Sequence, residues 1–225
     1  MIQAVLFDFG DTLFRRRGGS LAIVEAAQAL GREVGHPEAA AMWGAIQARA
    51  RTPAELAKGR DLSPEAHRKA WTELYSQADT LAPGIGTLLY EWEISPERWQ
   101  AFPDTLPTLA ALRAAGIGLG VVSDTGWDIR PILELHRCLD WFGAMVLSCE
   151  HGMAKPAASL FLSGCESLGV PPEQALLVGD NPLTDGGAAD AGLTALILPV
   201  PRPADDGRAR GLWSVARLAI GEPSR

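Results

Sequence analysis

Basic residues are in short supply in this 225-residue chain: 20 Lys and Arg stand against 27 Asp and Glu, a formal net charge of −7. A chain that wraps nucleic acid needs a surplus of cations on one face, so this balance argues against a nucleic-acid partner. Cysteine is scarce too. Cys138, Cys149 and Cys165 are odd in number and hold no CxxC pair, and the four histidines complete no zinc pattern. Three reduced, mostly buried thiols are expected, which suits a reducing cytoplasm. Long apolar runs are missing as well. Ala4–Phe7 is apolar but short, lacks a basic leader and runs into Asp8, unlike a secretory signal. No stretch approaches the roughly 20 apolar residues of a membrane span.

What remains is 47% hydrophobic and 21% charged, ordinary for a soluble globular protein. The length allows one sizeable core with a smaller second module. Five short apolar runs stand out, at residues 4–9, 117–123, 145–148, 175–179 and 194–198. They read as strands of a parallel sheet, which are continuously apolar because both faces are covered. Helical stretches lie between them: 105–115, with Leu106, Leu109 and Leu112 before Gly116, and 157–168, between Pro156 and Gly169. This alternation predicts an α/β fold, a doubly wound, Rossmann-like parallel sheet.

One interval breaks the pattern. From about Leu21 to Phe102 no convincing strand appears, only Ala-, Leu- and Glu-rich segments broken by prolines. Four or five helices are expected there, inserted after the first strand. The domain reading is a core of residues 1–18 and 103–225 and an all-helical cap of residues 19–102 over the sheet edge where ligands bind. Trp43, Trp71, Trp92 and Trp99 are expected to form the insert's small core. Residues 199–211, rich in Pro, Arg, Asp and Gly, read as a surface loop before a last helix at 212–220.

Four segments carry chemistry. In the first, Val5 to Leu13, a strand ends by projecting Asp8, and Gly10 permits close approach of backbone to ligand. In the second, Ser123 ends a strand before Asp124, where a hydroxyl and the N–H groups of a turn can meet a phosphate. In the third, Lys155 precedes Pro156 and can cancel phosphate or carboxylate charge. In the fourth, Asp180 and Asp185 follow a buried strand and precede small residues that let backbones pack closely. Two carboxylates ~4 Å apart repel by about 4 kcal/mol at an effective dielectric of ~20. Gathered at one edge, Asp8, Asp180 and Asp185 would repel strongly or one would stay protonated; a divalent cation removes the conflict, and Mg²⁺ fits better than Ca²⁺ because it takes one or two carboxylates plus waters and substrate phosphate.

In order and spacing the four segments resemble the motifs of the haloacid dehalogenase-like (HAD) hydrolase superfamily, and the helical insert sits where that superfamily's first-type cap sits. The resemblance implies a Mg²⁺-dependent phosphatase of a small phosphorylated molecule. It makes Asp8 the nucleophile and a metal ligand, with the Gly10 carbonyl, Asp180 and Asp185 as the other metal ligands, Asp185 directly or through water. It gives Ser123 and Lys155 to the phosphate, and Phe9, Gly10 and Asp124 to the substrate pocket. Phosphatases of the superfamily usually carry an acid–base Asp two residues after the nucleophile; here that position is Gly10, and Asp11 comes one later. Asp11 as the acid, an acid from the cap, and a substrate with a good leaving group all stay open. The same departure keeps a metal-independent 2-haloacid dehalogenase as the alternative, and a non-catalytic binding module on the same fold as the next. Arg15, Arg16 and Arg17 read as a solvated loop or an attractor of anions, Thr12 as a hydrogen-bonding support of the first loop, and Asp128 as a helix cap. A monomer or homodimer is expected.

Overall fold

The apolar runs become strands, and the central ones are covered on two faces. The computed structural model describes residues 1–199 and 207–221. Its strands are β1 (Ala4–Phe7), β2 (Phe14–Arg16), β3 (Trp99–Ala101), β4 (Gly118–Ser123), β5 (Ala144–Leu147), β6 (Ala175–Gly179) and β7 (Thr194–Ile197). Between β2 and β3 lie α1 (Ser20–Ala29), α2 (His36–Ala50), α3 (Pro53–Leu56), α4 (Pro64–Tyr75) and α5 (Ile85–Glu93). After β3 follow α6 (Thr105–Ala114), α7 (Arg130–Leu135), α8 (Ser148–His151), α9 (Ala158–Leu168) and α10 (Trp213–Ile220). The surface loop expected at 199–211 falls mostly outside the described residues.

Five strands pair in parallel in the order β5-β4-β1-β6-β7. Val5 and Phe7 point to the face covered by α6, α7 and α10, and Leu6 points to the face covered by α9, as the two-residue period requires. The sheet is therefore α/β and wound on both faces. The chain runs outward from β1 to β4 and β5, then returns to β6 and β7 on the other side. Strand order reverses between β1 and β6, and the carboxyl ends there open the crevice in which such sheets bind ligands. Helix ends are set locally. After α9, Gly169 adopts φ +67° and the Val170 N–H reaches the Cys165 carbonyl at 3.1 Å. That bond satisfies an orphan carbonyl of the last turn and turns the chain toward β6.

The helices between β2 and β3 bury their own apolar cluster, including Ile23, Ile46, Leu74, Tyr75, Ile85 and Leu89. At the start of α4 the Ser63 hydroxyl accepts the Ala66 N–H at 3.1 Å, with Pro64 in the first turn. Three expectations need correction here. The interval to Phe102 does hold a strand, β3, which pairs antiparallel with β2; three-residue strands carry no periodic signal. Arg16 is not in a solvated loop: it hydrogen-bonds Tyr75 at 3.0 Å, pairs with the Glu93 carboxylate and lies over the Trp43 ring at 5.3 Å. Arg15, its strand neighbour, lies 5.8 Å over Phe102. Trp43, Trp71 and Trp92 pack on the insert's cluster, but Trp99 belongs to the cluster under the sheet.

All three cysteines are free thiols, with Cys138 and Cys165 buried and Cys149 half-buried. No helix among the described residues is long and apolar enough to cross a membrane.

Candidate active site

Register brings the four segments together. Phe7 pairs with Val121 of β4 and with Val178 of β6. One step further, Asp8 lies beside the end of β4, where Ser123 is, and beside the end of β6, where Asp180 follows Gly179. The Asp8 N–H donates to the Val178 carbonyl at 2.8 Å, which pins its main chain to β6. Asp8, Ser123, Lys155 and Asp185 are all buried, while Asp180 is half-buried.

Lys155 is the hub. Its Nζ donates to Asp8 Oδ1 and to Asp185 Oδ1, each at 2.6 Å. Its main-chain N–H donates to Asp124 Oδ1 at 2.9 Å. Asp124 thus holds the lysine's loop beside Ser123. The other oxygen of Asp185 accepts the N–H groups of Asp180 at 3.0 Å and Asn181 at 2.9 Å. With Oδ2 doubly bonded and Oδ1 on the lysine, Asp185 can spare at most one lone pair for another ligand. Two close approaches make this packing possible. A Cβ on Gly179 would lie 2.2 Å from the Asp185 carboxyl carbon, and one on Gly187 would lie 2.4 Å from Pro156.

Oxygen atoms of Asp8, Asp180 and Asp185 lie within 4.8 Å of one another. Three carboxylates against one ammonium leave two surplus negative charges, a donor set that fits a hard divalent cation. Burial raises the Asp8 pKa to about 6: Lys155 opposes it, and Asp185 adds to it. Burial raises Asp180 to about 7, with Asp8, Asp11 and Asp185 adding and Arg210 opposing. Burial pulls Lys155 down, but Asp8, Asp185 and Asp124 outweigh it, and the ammonium is held above its ordinary range. In this coupled pair the lysine stays charged and Asp8 is the member pushed toward neutrality.

The remaining candidates divide. Asp11 takes a left-handed φ of +57° with its side chain reaching solvent. Desolvation by the surrounding protein raises its pKa against Arg210 and Arg16, and it is close enough to Asp180 to raise that group too. Gly10 is half-buried at the turn after Asp8. Phe9 offers a ligand only its main chain, because its ring is buried between Phe14 at 5.0 Å and Trp99 at 5.2 Å. Thr12 does not support its loop as expected: its buried hydroxyl has no hydrogen-bond partner among the described residues. The Phe9 carbonyl does that work by accepting the Leu13 and Phe14 N–H groups at 3.0 Å each. Asp128 accepts the Arg130 N–H at 3.0 Å, at the entry of α7.

Sequence reasoning missed the groups that join the insert to this edge. His67 of α4 is buried against Trp127 at 4.9 Å, and a Cβ on Gly126 would lie 2.2 Å from the His67 Cβ. Ser148 donates to the Asp61 carbonyl at 2.5 Å and accepts the Thr125 N–H at 2.9 Å. Glycine after Asp124-Thr125 was the one local hint; nothing in the sequence named its partner.

The model of a haloacid dehalogenase-like hydrolase family matches residues 2–192. A glyceraldehyde 3-phosphate phosphatase of Methanothermobacter thermautotrophicus is 26% identical over 88% of this chain and 86% of its own. A phosphoserine phosphatase of Thermus thermophilus is 31% identical over 86% of this chain and 80% of its own. The crystal structure of a HAD phosphatase from Thermococcus onnurineus is 26% identical and superposes with a TM-score of 0.62 over 99% of this chain and 100% of its own. With the parallel sheet, the four gathered segments and this match across most of its length, the chain belongs to the haloacid dehalogenase-like hydrolase family.

Proposed function

We propose that the protein is a Mg²⁺-dependent phosphatase of a small phosphorylated molecule, with Asp8 as its nucleophile. The observation that carries this reading is the buried cluster in which Asp8 and Asp185 share the Lys155 ammonium beside Asp180. The phosphatases that it resembles add support. When bound by Asp8, Asp180 and the Gly10 carbonyl, Mg²⁺ would supply positive charge beside the phosphoryl group. An Asp8 oxygen attacks phosphorus in line as the bond to the leaving oxygen breaks, which leaves an aspartyl-phosphate. Water then attacks that phosphorus, the bond to Asp8 breaks and phosphate leaves. Lys155 steadies the charge of the transferring group, and the Ser123 hydroxyl donates to it. Asp185 orients Lys155 and the main chain at Asp180. The helices of residues 19–102 act as a cap on a core of 1–18 and 103–225, joined to it at His67 and Asp61.

Asp11 is the acid that protonates the leaving oxygen. Acid–base help is worth typically 10²–10⁴ in rate and matters most for alkoxide leaving groups. In a panel of phosphorylated metabolites, 2-haloacids and aryl phosphates, phosphate release in Mg²⁺ is expected and is lost in EDTA. Asp11→Asn slows alkyl esters at least about tenfold more than aryl esters. Equal rates on both classes would remove Asp11 as the acid. Halide release in EDTA without phosphate release would replace the phosphatase with a dehalogenase.

The raised carboxyl groups give the cation a second signature. In metal-free protein the folded state holds protons that the unfolded chain releases, since Asp8 and Asp180 titrate near 6 and 7 instead of 3.8. Their stability contribution is full below about pH 4 and is lost as pH rises through 7. His67 works in the opposite sense: burial lowers its pKa to about 3, so its contribution is lost as pH falls below about 6.5. Comparing melts with and without Mg²⁺ at each pH cancels His67. The rise in melting temperature on adding Mg²⁺ should grow from pH 5.5 to pH 8, because the cation binds the ionised carboxylates. A rise of equal size at both pH values would count against this cluster as the cation site.

A further inference from the structure

The segment that matches the family stops at residue 192, yet a residue beyond it returns to the catalytic loop. Arg210 Nε donates to the Asp11 main-chain carbonyl at 2.6 Å, across 199 residues of sequence. The Asp11 N–H meanwhile donates to the Phe14 carbonyl at 2.7 Å, so the main chain of residue 11 is held on both sides. That hold has a purpose. Asp11 takes a left-handed φ of +57°, which costs an L-residue roughly 1–2 kcal/mol and persists only where the surroundings over-determine it. Arg210 is itself fixed. The buried Asp104 carboxylate accepts its N–H at 2.7 Å, then those of Gly211 at 2.7 Å and Leu212 at 2.8 Å. Such charge-assisted bonds are short and strong. Asp104 also precedes α6, where a carboxylate would ordinarily cap the helix; its side chain makes no cap bond here and serves the later segment instead. The guanidinium lies 5.7 Å over Phe102.

We propose that Arg210, anchored by Asp104, is a positioning residue that locks the Asp8–Gly10–Asp11 turn into its reactive shape. The proposal rests on Asp8 being the reacting group. It gives Arg210 a role in shaping the catalytic loop, although residue 210 lies outside the family's matched segment. Arg210 touches the loop's main chain and acts through it, so its loss displaces the groups that Asp8 and Gly10 present without removing any of them. A misplacement of this kind lowers turnover more than it weakens substrate binding.

The test uses the full chain in Mg²⁺ with para-nitrophenyl phosphate, together with hydrogen exchange of the amides from Phe9 to Phe14, which needs no substrate. Arg210→Ala should lower kcat about 10- to 100-fold with KM within about threefold. Loop exchange should quicken while β4 and β6 stay protected. Arg210→Lys keeps a donor and should recover part of both signals. Added guanidinium ion should restore activity to Arg210→Ala and leave the wild type unchanged. Arg217→Ala, on the exposed side of α10, serves as the control with wild-type rates. If Arg210→Ala does not fold, Arg210→Lys and Asp104→Asn are read in the same way. Wild-type exchange in the loop and wild-type kcat in the variants would overturn the proposal. A wild type that cleaves no phosphate ester, with a loop that loosens on substitution, would end the phosphatase reading and leave the positioning role standing.

Discussion

Asp8→Asn protein should fold and bind Mg²⁺ weakly, yet hydrolyse no phosphate ester at a detectable rate. The amide is the same size as the carboxylate but is no nucleophile, so the covalent route closes. A loss of about 10⁴ in kcat or more is expected where one residue carries the bond-forming step. The fold should not suffer. Asp8 is the carboxylate that burial and Asp185 push toward neutrality, to a pKa of about 6. A neutral isostere relieves repulsion among three close acids, and the metal-free variant at pH 8 should melt no lower than the wild type. Release of para-nitrophenol and thermal melting in EDTA measure the two halves. Turnover by pure variant, free of contaminating phosphatase, would refute Asp8 as nucleophile; a collapse of the melting temperature would refute the electrostatic account of its burial.

Lys155→Met should harm both function and stability. The ammonium stands 2.6 Å from two buried carboxylates, and removing it leaves Asp8 and Asp185 facing each other without a cation. Breaking a buried pair from one side costs roughly 3–5 kcal/mol, more than a typical domain can lose lightly. Turnover should fall about 10²–10³-fold, the scale for removing one donor aimed at developing charge. The stability loss should depend on conditions in a way that simple cavity formation does not. At pH 5.5 Asp8 is largely protonated, and in Mg²⁺ the carboxylates regain a cation, so both conditions should return part of the loss. Urea unfolding at pH 5.5 and pH 8, with Mg²⁺ and with EDTA, checks this. A loss that is the same in all four conditions would mean that Lys155 contributes packing alone.

Parts of this architecture were legible in the sequence for a clear reason. Central strands buried on both faces must be apolar throughout, so β1, β4 and β6 stood out, with β5 and β7 as short apolar runs beside them, and β1, β4, β5 and β6 each run into a polar residue. Asp8, Ser123, Asp180 and Asp185 were visible because each sits directly after such a strand or in the turn that follows it. β2 and β3 were not visible, since three residues cannot show a period. Thr12 was misread because a hydroxyl's lack of any partner among the described residues is a tertiary fact, and the packing of the Phe9 ring against Phe14 and Trp99 was hidden because Trp99 lies at the far end of the insert.

The sequence by itself determined the sheet, the family resemblance and the four segments that meet at its edge. These are local patterns, written by burial and by the chemistry needed at strand ends. Only the tertiary structure decided how the charges are shared. It put Lys155 between Asp8 and Asp185, gave Arg16 to Tyr75 and Glu93 instead of to a substrate, and returned Arg210 to Asp11. Those partners are 30 to 199 residues apart, and what pairs them is the close packing of helices and loops around the sheet, for which a linear pattern carries no signal.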